Sequence, residues 1–384
     1  MRILADATAV GEGGGGICTF LLGLLAGWTA AGFEDEWRVV GMSDLPRAVD
    51  DLVMSPGRVL RGRSPSVVHR ILAQQVLLPA MACGSWSPDV ILATTPVIPV
   101  TPLRSPVVAM VHDLRSLRFP SEFTRLVRTY RRIAYRYGLA RADGLLANSD
   151  FTRDEVQQVA RHRRSNPVVI SLGADHVDDW PAVSPGPEDG QGHGITFAHW
   201  SNKRPDVAIR AWALLHDTDD AFAAKLHVVG GRAAEIGGLI RLSSELHINH
   251  LVQVHPFLPE HEYRDLFASS SVVLLPSTME GFGLPVAEAQ RLGIPVVATA
   301  VGGISEVGGD AALYSTDGSP SSFAALCAQI LFDPGRRDEL IRRGRERSGH
   351  FTWRSTAERT RCELERIVVR RRARSVRRIT PNLP

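Results

Sequence analysis

The stretch that decides the fold is SVVLLPSTMEGFGLPVAEAQRLGIPVVAT, Ser271 to Thr299. Its two ends are apolar without alternation, the mark of strands buried on both faces. Between them Pro285 suits the first position of a helix and Gly293 its C′ position, so the spacing predicts a short, well-bounded helix over Pro285–Leu292. Strand, loop, helix and second strand make one βαβ unit of a parallel sheet. The loop and helix also carry two carboxylates, Glu280 and Glu288, which the packing of buried strands does not require.

Outward from this unit the same alternation repeats. Buried strands are predicted at Ile195–Ala198, Leu226–Val229, Val252–Val254, Val272–Leu275 and Val296–Ala298. Helices are predicted at Arg204–Leu215, Arg232–Leu246, Pro259–Ala268 and Ser321–Leu331. The first half alternates too. Its strands are Arg2–Ala5, Arg38–Gly41, Asp89–Ala93, Val107–Val111, Gly144–Ala147 and Val168–Ser171. Helical patterns run over Ile17–Ala31, Glu122–Leu139 and Thr152–Ala160, with Asn148-Ser149-Asp150 as a cap for the last. Between the halves lies GADHVDDWPAVSPGPEDGQGHG, Gly173–Gly194, rich in Pro, Gly and Asp and the best linker candidate. The expectation is α/β: two doubly wound domains, 1–175 and 176–350, facing a cleft. A last helix from Phe351 to about Arg378, within 351–384, packs back on the first domain.

The chemistry follows from the helix N-terminus at Gly283-Leu284-Pro285. Free N–H groups and the helix dipole favour an anion there, most simply a phosphate. Gly281 and Gly283 let backbone amides approach it. Carboxylates near a phosphate must address something else, and vicinal hydroxyls of ribose and hexose fit. The inferred ligand is a sugar nucleotide. Lys203-Arg204 follows a strand and opens a helix, where two cations neutralise a diphosphate leaving group. Only two lysines, Lys203 and Lys225, occur among 44 basic residues, so a lysine here signals positional demand.

EGFGLPVAE, with acids eight positions apart, resembles the E-x7-E motif of the retaining GT-B glycosyltransferases of family 4, and the likeness extends over Leu258–Leu313. The resemblance implies that Glu288 binds the ribose hydroxyls and that Glu280 lies at the transferred hexose. It places the amides of Phe282, Gly283 and Leu284, beside Gly281, at the hexose and diphosphate. It assigns Lys203 and Arg204 to the diphosphate, although the family's commoner order is Arg-Lys. His112, in VVAMVHDLRSLRFP, resembles the histidine of mannosyl- and rhamnosyl-type members that contacts the transferred sugar. A buried His112-Asp113 pair serving only the fold is the competing reading. Other histidines are read as structural or exposed.

Gly11 to Gly16 satisfies G-x-G-x-x-G, with Glu34 and Asp35 near the distance of a dinucleotide's ribose acid. So many glycines satisfy any such template, so a dehydrogenase stays the distant reading. By the resemblance Gly14, Gly15 and Gly16 close over the donor phosphates or face the acceptor. Asp6 is also common in such members, without a role assigned. No Asp-x-Asp stands at a strand end and no cluster has zinc spacing, so metal independence and no cofactor are expected.

The chain is read as a hexosyltransferase with a nucleotide-diphosphate sugar donor, GDP-mannose favoured, and a glycan or lipid-linked acceptor. The alternatives are an epimerase or phosphorylase on the same fold, or a non-catalytic sugar-nucleotide-binding partner. A net charge of +3 gives no argument for nucleic acid. Ile17–Trp28 is too short to span a bilayer and lacks a basic flank, so neither signal peptide nor membrane helix is expected, and the location is cytoplasmic. Cys18, Cys83, Cys327 and Cys362 are expected as buried, reduced thiols. The arginine-rich tail after Glu365 is either a solvated, frayed helix end or a peripheral contact with anionic lipid.

Overall fold

The structure is a computed structural model. It describes all residues except 12–14, 54–56, 63, 65, 161–165, 182–191, 219–221 and 380–384, with side chains described to residue 374. The chain divides into two compact units, Met1–Gly173 with Thr352–Pro384, and Ala174–Phe351. The expected boundaries, 175/176 and 350/351, differ from these by two residues and one.

The first unit holds seven strands: β1 (Arg2–Asp6), β2 (Glu36–Gly41), β3 (Arg58–Arg61), β4 (Val90–Ala93), β5 (Val107–Val111), β6 (Gly144–Ala147) and β7 (Val168–Val169). Their order is β3-β2-β1-β4-β5-β6-β7, every pairing parallel. The second unit holds β8 (His193–Phe197), β9 (Lys225–Val229), β10 (Val252–Val254), β11 (Val272–Leu275), β12 (Val296–Thr299) and β13 (Leu313–Ser315). Their order is β10-β9-β8-β11-β12-β13, again all parallel. Strand order reverses beside β1 in one sheet and beside β8 in the other. The crevice above the carboxyl ends of strands at such a reversal is where open α/β sheets take ligands.

The unalternating apolar runs are central strands: β4, β5, β6 and β11 are buried at every residue. Two edge strands went unread. RVLR of β3 has two arginines in four residues, and β13 is three residues long, so neither carries a periodic signal. The helix Pro334–Ser348 was also missed. It is dense in arginine, and only Leu340, Gly344 and Ser348 of it are buried.

The terminal helix, Trp353–Ile379, belongs to the first unit and packs on the helix Gly16–Ala30. Small residues make this approach possible. A Cβ on Gly23 would lie 2.1 Å from the Trp353 indole, and one on Gly27 would lie 2.1 Å from the Trp353 carbonyl oxygen. Thr356 donates to the carbonyl of Ser171 at 2.8 Å, and Arg361 reaches Asp35 at 2.7 Å. Because the atom facing Gly27 is backbone, it cannot rotate away. Gly27→Ala is therefore expected to destabilise the first unit by about 2–3 kcal/mol and lower its melting temperature by several degrees. Calorimetry checks this; a wild-type melting temperature would mean the helices do not make this contact.

Several expectations are corrected by this unit. Asp35, an acid of the distant dinucleotide reading, is engaged within the fold. It accepts from Arg361, from the Trp28 indole at 3.2 Å and from the chain's amino terminus. Burial pushes its carboxyl up, and those bonds more than offset it, so its pKa lies below the ordinary value. Glu34 and Asp35 also precede β2, whereas a ribose-binding acid stands at the far, carboxyl end of that strand. The cysteines are not all buried: Cys18 and Cys327 are, while Cys83 and Cys362 are exposed. The tail arginines are partly engaged: Arg371 pairs with Asp143 at 3.2 Å and Arg372 with Asp89 at 2.7 Å.

Candidate active site

The strand β8 ends at Phe197, and a single 3-10 turn, Ser201–Lys203, leads to the helix Pro205–Thr218. The neighbouring strand β11 ends at Leu275, and the loop Pro276–Gly283 leads to the helix Leu284–Leu292. Because β8 and β11 are paired at the reversal of strand order, these two loops rise side by side. They are stitched together by backbone and side chain. Asn202 donates its amide to the carbonyl of Met279 at 2.7 Å, and the amide of Thr278 donates to the carbonyl of Asn202 at 2.8 Å.

That stitching brings the first pair of expected residues into contact. Lys203 Nζ donates to Glu280 Oε1 at 2.6 Å, and Ser277 Oγ donates to the same oxygen at 2.7 Å. The ammonium is buried and lies 5.9 Å above the Phe197 ring. Arg204 is turned elsewhere. It occupies the left-handed region, φ 48°, and its guanidinium forks onto Asp206 with two bonds of 2.9 Å. The two adjacent cations are thus unequal: Lys203 is enclosed with Glu280, while Arg204 is exposed.

Glu280 is held from behind by a glycine pair after β12 that sequence reading did not single out. Gly303 donates to the Glu280 carbonyl at 3.0 Å. Gly302 sits at φ +60°, and a Cβ there would stand 1.9 Å from the Glu280 carbonyl oxygen. Asn202 and Gly302 were invisible for one reason: their roles depend on partners distant in the chain. The pair of glycines right after a predicted strand was the available signal.

The helix start is as expected. Gly283 is left-handed at φ 95° and supplies no side-chain cap, Pro285 stands in the first turn, and Gly293 closes the helix at φ 78°. The N–H groups of that first turn therefore have no side-chain acceptor from the cap residue. Phe282 is not exposed to the loop's open side; its ring packs edge-on to Phe351 at 5.8 Å. Gly281 and Leu284 flank it in the same turn.

Glu288 is buried one turn further along the helix. His176 Nε2 lies 3.1 Å from its Oε1, and Arg291, three residues on, binds Asp178 at 2.7 and 2.5 Å. The piece Asp175–Trp180 of the expected linker is therefore docked on the helix that carries Glu288, with His176 as one of its contacts. The remainder of that linker, 182–191, is outside the described residues. Trp180 meets His176, Tyr263 and Phe267 edge-on, and its indole N–H is enclosed with no partner among the described residues. Burial, and then the nearby Glu288, push the Tyr263 phenol well above its ordinary pKa.

In the first unit His112 follows β5. Its carbonyl accepts from Asn148 at 2.9 Å, and its ring meets Phe20 edge-on at 5.0 Å. Asp113 does not orient it: that carboxylate accepts from the Arg115 amide at 3.0 Å. The ring hydrogen-bonds the backbone of Thr94, at the end of β4, while Nε2 is enclosed with no partner among the described residues. Burial lowers its pKa to about 4, partly opposed by the Thr94 bond, so it is neutral at physiological pH. Between pH 6.5 and about 4 only the unfolded chain takes up this proton, so stability falls as pH falls through that window. At pH 5 the expected penalty is up to about 2 kcal/mol, and it is absent in His112→Gln. Urea unfolding of both proteins at pH 7 and pH 5 measures it; equal losses would refute it.

Of the glycine run, Gly15 (φ 92°) and Gly16 begin the helix Gly16–Ala30, and a Cβ on Gly15 would meet nothing within 4 Å. Gly14 lies outside the described residues. Asp6, at the end of β1, is fully occupied with Thr8 at 3.0 and 2.7 Å and Gln74 at 3.2 Å, and burial raises its pKa.

Comparison with known proteins bears on the fold and on each half of the chain. Residues 199–347 match the profile of Glycosyl transferases group 1, and residues 14–177 match that of Glycosyltransferase Family 4. The D-inositol 3-phosphate glycosyltransferase of Kineococcus radiotolerans is 31% identical over 60% of this chain and 59% of its own length. That of Rhodococcus opacus is 30% identical over 59% of this chain and 54% of its own. The aligned part thus spans less than two thirds of these relatives. Among solved structures, the sucrose-phosphate synthase of Thermosynechococcus elongatus superposes with a TM-score of 0.73 at 17% identity, over 96% of this chain and 99% of that one. Anabaena HepE in complex with UDP-glucose gives 0.73 at 19%, over 95% and 99%. The fold is GT-B, two parallel-sheet Rossmann-like domains, as the sequence led us to expect.

Proposed function

This chain is GT-B in fold, similar to Glycosyltransferase Family 4 in its first half and to Glycosyl transferases group 1 in its second, and from that premise we propose that it is a retaining glycosyltransferase. It moves a hexosyl group from a nucleotide-diphosphate sugar to a hydroxyl of a glycan or lipid-linked acceptor. The observation that carries this reading is the Lys203–Glu280 pair at 2.6 Å, with Glu288 on the helix that follows. Such a pair in a ligand crevice is a cation and an acid held ready for a ligand that presents both phosphate and hydroxyl groups.

In this reading the β-phosphate displaces Glu280 from Lys203, and Glu280 turns to the hexose hydroxyls. The amides of Phe282, Gly283 and Leu284 add the positive helix end. The bond between anomeric carbon and β-phosphate oxygen breaks, and the acceptor oxygen bonds that carbon on the same face. The acceptor proton passes to the departing phosphate. Arg204 would have to leave Asp206 to join Lys203, so Lys203 carries the larger share. Glu288 accepts from the ribose hydroxyls. Neutral His112, whose Nε2 has no partner among the described residues, addresses the sugar once the donor is bound. Charge neutralisation falls to these cations without a metal.

Two donor readings have support. The VHDL segment favours GDP-mannose. The solved neighbour with UDP-glucose favours a uridine donor, and the inositol phosphate glycosyltransferase relatives favour a phosphorylated cyclitol as acceptor. The test is release of nucleoside diphosphate from a panel of GDP- and UDP-hexoses, with and without acceptor, in the presence of a chelator. Acceptor-dependent release that withstands the chelator, with an α-linked product from an α-donor by NMR, is the expected outcome. Release without acceptor would favour an epimerase or hydrolase. Binding without turnover would favour a non-catalytic role.

A further inference from the structure

Three segments of the first unit form one exposed surface. The helical run Val67–Ala82 carries Val68, Leu72 and Val76 at four-residue spacing, exposed by 65%, 51% and 61%. Pro79 lacks the N–H that would bond Gln75, and a π-turn, Ala73–Leu77, precedes it. Within that turn Gln74 faces inward to Asp6, while Gln75 grips the loop at Ile98 and Val100 with bonds of 3.2 and 2.8 Å. Tyr137, from the helix Arg125–Arg141, donates to the Val100 carbonyl at 3.1 Å. Gly138 lets that helix close on the same loop, since a Cβ there would be 1.7 Å from the Pro96 carbonyl oxygen. Val100 is thus the bridge between two helices, and it too is exposed.

The outer face of Arg125–Arg141 continues the pattern. Leu126 and Ile133 are exposed by 80% and 65%, with the exposed Arg125, Arg132 and Arg136 around them. None of these three arginines has a carboxylate partner among the described residues. No acidic residue occurs in 67–82, 96–106 or 125–141. The other arginine-rich helix, Pro334–Ser348, shows the contrast: Arg336 and Arg343 pair with Glu339, and Arg342 pairs with Glu346. Three arginines of that helix are matched by acid, whereas Arg125, Arg132 and Arg136 have none among the described residues.

We propose that this face of the first unit docks on an anionic lipid surface. Exposed aliphatic side chains enter the headgroup boundary, and the unmatched guanidiniums meet lipid phosphates. An acid-free, arginine-flanked apolar face fits that occupant better than it fits another protein, whose surface would carry both signs of charge. The arginine tail differs in charge pairing, since Arg371 and Arg372 are held by Asp143 and Asp89. The proposal does not depend on which sugar is moved.

The test is co-sedimentation of the full chain with vesicles of phosphatidylglycerol and phosphatidylcholine, against phosphatidylcholine alone. Binding is expected only to the anionic vesicles and falls with added salt. The triple change Arg125→Glu, Arg132→Glu and Arg136→Glu is expected to weaken it on the order of a hundredfold. Leu72→Ser with Val76→Ser is expected to weaken it about tenfold without altering the salt dependence. Arg342→Glu, on the acid-matched helix, leaves it unchanged. Absence of wild-type binding, or full binding by the triple variant, overturns the proposal. So does a dimer in the ultracentrifuge that only the patch variants dissolve, since another copy of the chain would then cover this face.

Discussion

Lys203→Ala is expected to lower kcat/KM by about a thousandfold, because in the proposed reaction the leaving diphosphate loses an enclosed cation. Glu280→Gln is expected to do nearly as much, with a smaller effect on donor affinity than on turnover. Each single change also strands a buried charge or polar group. Stability should fall by roughly 2–3 kcal/mol in either single variant, short of the full penalty of a deeply buried pair, because Ser277 still bonds position 280. The two effects separate in the double variant Lys203→Met, Glu280→Gln. Removing both charges is expected to restore much of the stability and none of the activity. Urea unfolding and steady-state kinetics on the four proteins form the cycle. Near wild-type turnover in either single variant would end the glycosyltransferase assignment of this pair.

The second large effect concerns a residue that touches no ligand. Gly302→Ala places a Cβ at φ +60° and 1.9 Å from the Glu280 carbonyl oxygen. The loop has to move, and the Gly303 to Glu280 hydrogen bond is lost with it. The expected cost is about 3 kcal/mol of stability in the second unit, from the strained backbone and the clash together. Displacing Glu280 by about an ångström is expected to cost a hundredfold in turnover. Calorimetry and kinetics on Gly302→Ala check both. A wild-type melting profile would show that the pair of glycines does not brace Glu280. Normal melting with lost turnover would instead place Gly302 in direct contact with substrate.

Much of the site was legible because its chemistry is local in the chain. Glu280, the Gly-Phe-Gly turn, Pro285, Glu288 and Gly293 all fall on one strand-loop-helix unit, where spacing alone sets the phase. Lys203 was legible for a different reason, its rarity among arginines. The sequence could not tell Lys203 from Arg204, since adjacent residues in a tight turn point apart and only the turn's geometry says which one is enclosed. The distant dinucleotide reading of Asp35 rested on counting residues from a glycine loop, which takes no account of strand polarity, and Asp35 precedes β2. His176 was hidden within a polar stretch whose composition reads as linker.

The residues by themselves determined two parallel α/β units, the bounded helix at Leu284–Leu292 and the presence of two acids about the start of that helix, because burial periodicity and cap chemistry act over a few neighbouring positions. The tertiary structure alone decided the partners. It joined Lys203 to Glu280, set His176 on Glu288, engaged Asp35, Arg371 and Arg372 in structural pairs, and left Arg125, Arg132 and Arg136 without acids among the described residues. Those outcomes depend on which strands lie side by side and where each loop emerges. No property of a residue's own neighbours in the chain encodes a contact made across 77 or 112 positions.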